Sequence, residues 1–222
     1  MSIKRANIKF EKLSNEIFSE WSQIPSAIAG DCMNRQNIMA ERISPVKRGM
    51  KIIGQARTVS ITHGDNSALH AALTILSKGD VLVVEGGGFV DRAVWGGLMN
   101  RSAISIGLNG LVIDGSIRDI DEIIEMSLPV FAAGNVPTGP TKGGGGMIDA
   151  PISCGNVSVN SGDIIIGDDD GIAVIPLKQS FKILIESKDR IKMEQNIIKR
   201  IENGEKHHEI FNIETIPYLN HE

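Results

Sequence analysis

Aromatic side chains are scarce in this 222-residue chain, at 4%, so its interior must be built from Ile, Val, Leu and Ala. Cysteine is scarcer. Cys32 and Cys154 stand far apart, make no metal or redox motif, and read as reduced thiols in a chain this large. No apolar run approaches the roughly 18 residues that span a bilayer. The opening MSIKRANIKFEKLSNE alternates charged and apolar residues and has no apolar signal-peptide region. Long basic runs are missing too. With 23 Lys and Arg against 27 Asp and Glu, the net charge is −4, which argues against nucleic acid and anionic membranes, since both need clustered cations. The expectation is a soluble cytoplasmic protein with no membrane or direct nucleic-acid partner. A hydrophobic content of 41% and 24 glycines without a repeat exclude disorder, collagen and coiled coil as descriptions of the whole chain.

What is present is an alternation of helix and strand. Leu13, Ile17, Phe18, Trp21 and Ile24 share one helical face over 11–24, and Pro25 suits the first turn of a second short helix through Ala29. Residues 52–62, rich in β-branched side chains, predict a strand. Asp65 and Asn66 then offer N-caps to a helix carrying Leu69, Leu73 and Leu76. Val81–Val84 predicts a buried strand broken by Gly86-Gly87-Gly88, followed by a helix over 91–106 that stops at Gly107. Leu111–Asp114 predicts another strand with a turn at Gly115, Ile120–Met126 a short helix, and Val130–Ala132 a further strand. This alternation predicts parallel βαβ units. After residue 135 come a glycine loop at 143–146, short strands at 157–159, 164–166 and 172–175, and a turn at Gly167–Gly171. The amphipathic helix over 178–203, with Leu184, Ile191 and Ile198 at heptad spacing beside Ile197 and Ile201, either covers its own domain or packs on a neighbouring subunit.

Candidate chemistry concentrates at few positions. Gly86–Gly88 is a poor dinucleotide fingerprint, because Asp91 stands where the third glycine belongs and would face a phosphate. Lys142 in GPTKGGGG lacks the Ser or Thr of a nucleotide-triphosphate loop. Asp168-Asp169-Asp170 fits a solvent-facing hairpin turn, and His70, beside Leu69, fits a partly buried structural histidine. His207 and His208 lack ligand-spaced partners. Arg118-Asp119 is different, for it follows a buried strand at its carboxyl end, where open α/β sheets place ligands. Arg offers a planar fork to a carboxylate and Asp a hard oxygen to Mg2+. The bland alternative is a surface ion pair or a helix-capping Asp.

The segments GDNSALHAAL (64–73), GDVLVVEGGG (79–88), AVWGGLMNRSAISIGLNGLVIDGSIRD (93–119) and GDIIIGDDDGIAVIP (162–176) fall in a known order and spacing. Over about residues 25–176 the chain resembles the 4-hydroxy-4-methyl-2-oxoglutarate aldolase family, which includes the regulator of ribonuclease E activity A. The resemblance implies an α/β fold of the three-layer, swivelling β/β/α type, taken here as a single domain over 1–222. It implies a homotrimer or homohexamer with active sites between subunits. It further implies Mg2+ or Mn2+ on Asp119, Arg118 holding a small 2-oxo acid, and the backbone amides of Gly96, Gly97, Leu98 and Met99 on the pyruvyl carboxylate.

Aldolase members carry an Asp in the pattern Asp-x20-Arg-Asp, and this chain has Gly97 there. Asp91 lies about 240° away around a helix and is no replacement. Asp114, at the strand end, is the substitute candidate. The expected function is a divalent-metal lyase that releases pyruvate, of the 4-hydroxy-4-methyl-2-oxoglutarate aldolase or oxaloacetate decarboxylase type. The alternative is a non-enzymatic regulator that binds ribonuclease E or a related RNA-processing partner.

Overall fold

In the computed structural model, which describes residues 2–214 and 216, one large mixed sheet organises the chain. Its strands are β1 (Ile3–Arg5), β2 (Ser44–Pro45), β3 (Ile52–Ile61), β4 (Asp80–Trp95), β5 (Gly110–Ile117), β6 (Val130–Asn135), β7 (Gly146–Ile148), β10 (Ile164–Asp168) and β11 (Gly171–Ile175). A separate hairpin joins β8 (Ile152–Cys154) to β9 (Val157–Val159). The helices are α1 (Asn15–Trp21), α2 (Ser26–Cys32), α3 (Ser67–Leu73), α4 (Gly97–Ile106), α5 (Ile120–Glu125), α6 (Ser180–Glu202) and α7 (His207–Phe211). The central strands β3, β4, β5 and β6 run parallel, and α3, α4 and α5 connect them as the βαβ reading requires. The antiparallel additions, β7 and the β10–β11 hairpin, share the outer edge of β3.

Both faces of the parallel strands are buried, which is why they read as continuous apolar runs. Leu82, Val84, Leu111 and Ile113 pack with Leu69, Met99 and Ile123 of the helical layer. The alternate residues Val81, Val83 and Val112 pack with Cys154, Val157 and Val174 from the second β layer. Trp21, Ile28, Ile164, Ile183 and Leu184 form a third core between α1, α2, α6 and the β10–β11 hairpin. The result is the expected mixed α/β architecture. Among the described residues no helix is long and apolar enough to cross a membrane.

Three local expectations are corrected. The glycine triplet does not end β4, because the strand continues through it to Trp95 with register shifts against β5. Residues 91–95 are therefore strand and not the first turns of a helix, and α4 starts only at Gly97. Gly115 is no turn either, for β5 runs through it to Ile117. The glycines explain this continuity. A Cβ on Gly86 would sit 2.5 Å from the Asp114 carbonyl oxygen, so only glycine lets the two backbones approach there.

A buried ionic network ties the N-terminal segment to the sheet. Arg57 on β3 donates to both oxygens of Asp149, at 2.8 and 2.7 Å, and to Asp80 at 3.3 Å. Both carboxylates are fully buried, and Arg5 and Lys12 supply the remaining positive charge at 2.8 and 2.5 Å. Burial would raise the Asp149 carboxyl, but hydrogen bonds from Arg57 and Arg5 outweigh it and hold the group below its ordinary value. Arg57→Met leaves two buried anions short of a cation and should cost about 3–5 kcal/mol in urea unfolding. Because its folded pKa is depressed, Asp149 stabilises the protein above its ordinary carboxylate pKa. That contribution should fade as pH falls below about 4, and a flat stability profile there would contradict the assignment.

Candidate active site

The carboxyl ends of β4 and β5 meet through a backbone hydrogen bond from the Arg118 amide to the Trp95 carbonyl at 3.0 Å, two residues before α4 begins. Asp119 follows with φ of 60°, a left-handed conformation that a non-glycine residue adopts at a cost. It occupies the N-cap position of α5, yet its side chain makes no capping bond to that helix. Its Oδ2 instead accepts the Gly97 amide of α4 at 2.9 Å. The carboxylate thus sits on the positive end of a different helix, where an anion is favoured. Of the two bland readings, capping of its own helix is ruled out. The ion pair exists, with Arg118 Nε 3.8 Å from Asp119 Oδ2, but it is half exposed and contributes little stability.

Around this corner lies a cleft of about 320 Å³. Gly96, Leu98, Met99, Arg118 and Asp119 line one side, and Asn66, His70, Pro140 and Lys142 line the other. The structure therefore brings together most of the residues singled out from the sequence. Gly97 is buried at the first turn of α4, directly behind Gly96. The two glycines are not interior to a helix but form its start, where first-turn amides have no intrahelical acceptor.

The far wall comes from the loop after β6. Lys142 Nζ donates to Asn66 Oδ1 at 2.6 Å, and Asn66 Nδ2 in turn reaches Met99 Sδ at 3.4 Å. Asp65 fastens the glycine loop to α3, accepting from Ser67 N at 2.8 Å and Gly144 N at 2.9 Å. So Asp65, not Asn66, supplies the cap that the sequence offered at either position. His70 is exposed at the cleft and not a partly buried core histidine. Desolvation at the cleft wall and then the nearby Lys142 charge hold its imidazole below the ordinary value.

Two acids change roles relative to the sequence reading. Asp114 is not available to replace the acid missing at 97. It is buried, accepts both Arg42 nitrogens at 2.8 Å, and takes the Gly155 amide at 2.9 Å. The acid that does reach Gly97 is Glu122 of α5, which sequence reasoning missed. A Cβ placed on Gly97 would collide with Glu122 Oε2, so the glutamate carboxylate fills the space an aspartate side chain at 97 would take. The only signal in the sequence is the spacing Arg118-Asp119-x-x-Glu122, and a first-turn acid ordinarily reads as a partner for the helix dipole. The Asp168–Asp170 cluster is hairpin chemistry as expected, with Asp168 bonding Ser26 and Asp169 the Gly49 amide.

The RraA-like family model, described as Aldolase/RraA, matches residues 25–174, and the chain belongs to that family. A Halalkalibacterium halodurans protein, provisionally named 4-hydroxy-4-methyl-2-oxoglutarate aldolase, is 34% identical over 79% of this chain and 83% of its own length. The 4-hydroxy-4-methyl-2-oxoglutarate aldolase of Thermus thermophilus is 32% identical over 57% of this chain and 76% of its own. Among solved structures, Streptomyces coelicolor RraAS2, described as an unusual member of the RNase ES inhibitor RraA family, superposes with a TM-score of 0.76. It is 26% identical and covers 84% of this chain and 98% of its own.

The left-handed Asp119 gives a test of whether the residue serves the fold. Asn tolerates that conformation and keeps an acceptor oxygen, whereas Val does not. Asp119→Asn should leave stability within about 0.5 kcal/mol, and Asp119→Val should lose about 1–3 kcal/mol in chemical unfolding. Equal losses would contradict the backbone assignment.

Proposed function

We propose that the cleft is the active site of a divalent-metal lyase acting on small dicarboxylic 2-oxo acids and releasing pyruvate. The substrates envisaged are 4-hydroxy-4-methyl-2-oxoglutarate and oxaloacetate. The observation that carries the reading is the convergence of Arg118, Asp119 and the amino end of α4 on one corner of the cleft, with a second cation, Lys142, across from them. One positive group for each end of a dicarboxylate is the recognition such a substrate needs.

Among the described residues no cluster of three His, Cys, Asp or Glu side chains forms a protein cage for an ion. Asp119 nonetheless fits Mg2+ or Mn2+, which take hard oxygen donors and retain several waters with few protein ligands. When bound, such an ion supplies Lewis-acid polarisation of the 2-oxo group. The chain's own groups do the rest. Arg118 presents its fork to the 2-oxo-carboxylate corner, and the first-turn amides of α4 face the same charge. Lys142, with His70 on the same wall, takes the distal carboxylate. In decarboxylation the C3–C4 bond of oxaloacetate breaks, carbon dioxide leaves, and the electron pair enters an enolate beside Arg118. A proton must then return to C3. In aldol cleavage the C4 hydroxyl must lose its proton as the C3–C4 bond breaks and a second pyruvate leaves, and we assign to Glu122, whose carboxylate lies at Gly97, the acceptance of that proton and the return of one to C3.

The test is pyruvate release from oxaloacetate and from 4-hydroxy-4-methyl-2-oxoglutarate with Mg2+ or Mn2+, against a chelator control. Metal-dependent turnover of either supports the reading, and none with either metal sinks it. Glu122→Ala should lower aldol cleavage about 10²-fold. Adding Gly97→Asp to that variant should recover about tenfold, because residue 97 has an ordinary backbone conformation and the glutamate no longer blocks it. No recovery in a folded double variant would argue against Glu122 as the displaced acid.

A second reading, a protein regulator of RNA processing, is favoured by the likeness to RraAS2. In vitro inhibition of a ribonuclease E preparation without metal-dependent pyruvate release would select it. Under either reading we propose a cytoplasmic homotrimer or pair of trimers. One face of α6 is buried through Ile183 and Leu184, and Ile198 and Ile201, which continue that stripe towards the helix end, are half exposed, an apolar surface that a neighbouring subunit would cover. Light scattering should give a multiple of the 24.0 kDa chain, and a monomer at micromolar concentration would contradict the assembly.

A further inference from the structure

Glu122 belongs to a six-residue helix and is about two-fifths exposed, so nothing in its own element fixes its carboxylate over Gly97. It is also not among the residues that line the cleft. Two like charges meet at that glycine, since Asp119 Oδ2 accepts the Gly97 amide while Glu122 Oε2 lies where its side chain would be. Without a counter-charge, mutual repulsion and side-chain entropy favour Glu122 turned to solvent. The counter-charge is Arg101. It stands four residues after Gly97 on the same face of α4, and its Nε and Nη2 both grip Glu122 Oε1, at 2.8 and 2.6 Å. One glutamate oxygen is thereby clamped and the other is left over Gly97. Arg118 cannot do this work, because it lies against Asp119 and Gly139 on the cleft side.

We infer that Arg101 is a positioning residue that holds Glu122 across Gly97 and so completes the proton-transfer machinery from a second helix. The inference rests on the lyase reading above. Arg101 touches no substrate in this account and acts only through Glu122. The pair is exposed, so its worth to folding is small, and its effect should be visible in turnover and not in stability.

A double-mutant cycle tests this, using the Mg2+-loaded protein with oxaloacetate and 4-hydroxy-4-methyl-2-oxoglutarate as substrates and oxalate as inhibitor. Arg101→Gln should lower kcat for aldol cleavage about tenfold, the scale seen when a supporting partner is removed. The oxalate inhibition constant should stay within about twofold and the thermal midpoint should not move, because the Arg118 corner is untouched. Arg101→Lys, which keeps the charge without the fork, should recover part of the loss. In a Glu122→Gln background, Arg101→Gln should cost nothing more. Equal losses in both backgrounds, no loss at all, or a matching loss of oxalate affinity would overturn the inference while leaving the lyase reading standing. A wild-type protein without metal-dependent turnover would overturn both.

Discussion

The structure turns on a mismatch between two neighbouring strands. From Val84 to Trp95, β4 advances eleven residues while its partner β5 advances only four, from Ile113 to Ile117. The surplus is taken up in bulges between the pairs Val84–Ile113, Phe89–Gly115, Ala93–Ser116 and Trp95–Ile117, and the next residue, Arg118, donates its amide to the Trp95 carbonyl. Glycine at 86 permits the close pass beside Asp114, and the bulged register re-aims everything downstream. Had the two strands stayed in step, Trp95 would lie level with residue 124 and α4 would begin well past the end of β5. Its amino-terminal amides would then not meet Asp119.

That meeting concentrates charge at a single glycine, and the surrounding residues divide it. Asp119 is answered by Arg118 and by a helix amino terminus and Glu122 by Arg101, while Lys142 stands across the cleft. The middle of β3 carries the other concentration of charge, where Arg57 holds the fully buried Asp80 and Asp149 in service of the fold. The contrast separates roles. Exposed acids held by exposed arginines are available for chemistry, whereas Asp149 and Asp114, buried with every oxygen bonded, are committed to structure.

Much of this was legible in the sequence, for identifiable reasons. The parallel strands announced themselves because burial on both faces demands unbroken apolar runs, as in Val81–Val84 and Leu111–Ile113. Arg118 and Asp119 were legible from their place after such a run and from the family resemblance. The start of α4 was misread because Asp91–Trp95 carries no local feature that separates strand from helix, and the deciding contacts with Ser116 and Ile117 lie more than twenty residues away. Asp114 looked available because its partner, Arg42, lies 72 residues earlier in the chain. Glu122 looked like an ordinary first-turn acid, since its neighbour Gly97 is brought to it only by the fold. Lys142 and His70 could not be assigned to the cleft, because the loop that carries one is tied to the helix that carries the other through Asp65 and Asn66.

The central claim is that the corner formed by Arg118, Asp119 and the start of α4 receives a 2-oxo-carboxylate together with a divalent cation. Oxalate, planar and shaped like the enolate of pyruvate, probes that corner without any turnover. Calorimetric titration of oxalate into the protein with Mg2+ should show binding that disappears with a chelator and weakens at least tenfold in Arg118→Lys, where the fork is lost but the charge remains. Oxalate binding of equal strength with and without Mg2+, or unchanged in Arg118→Lys, would contradict the account.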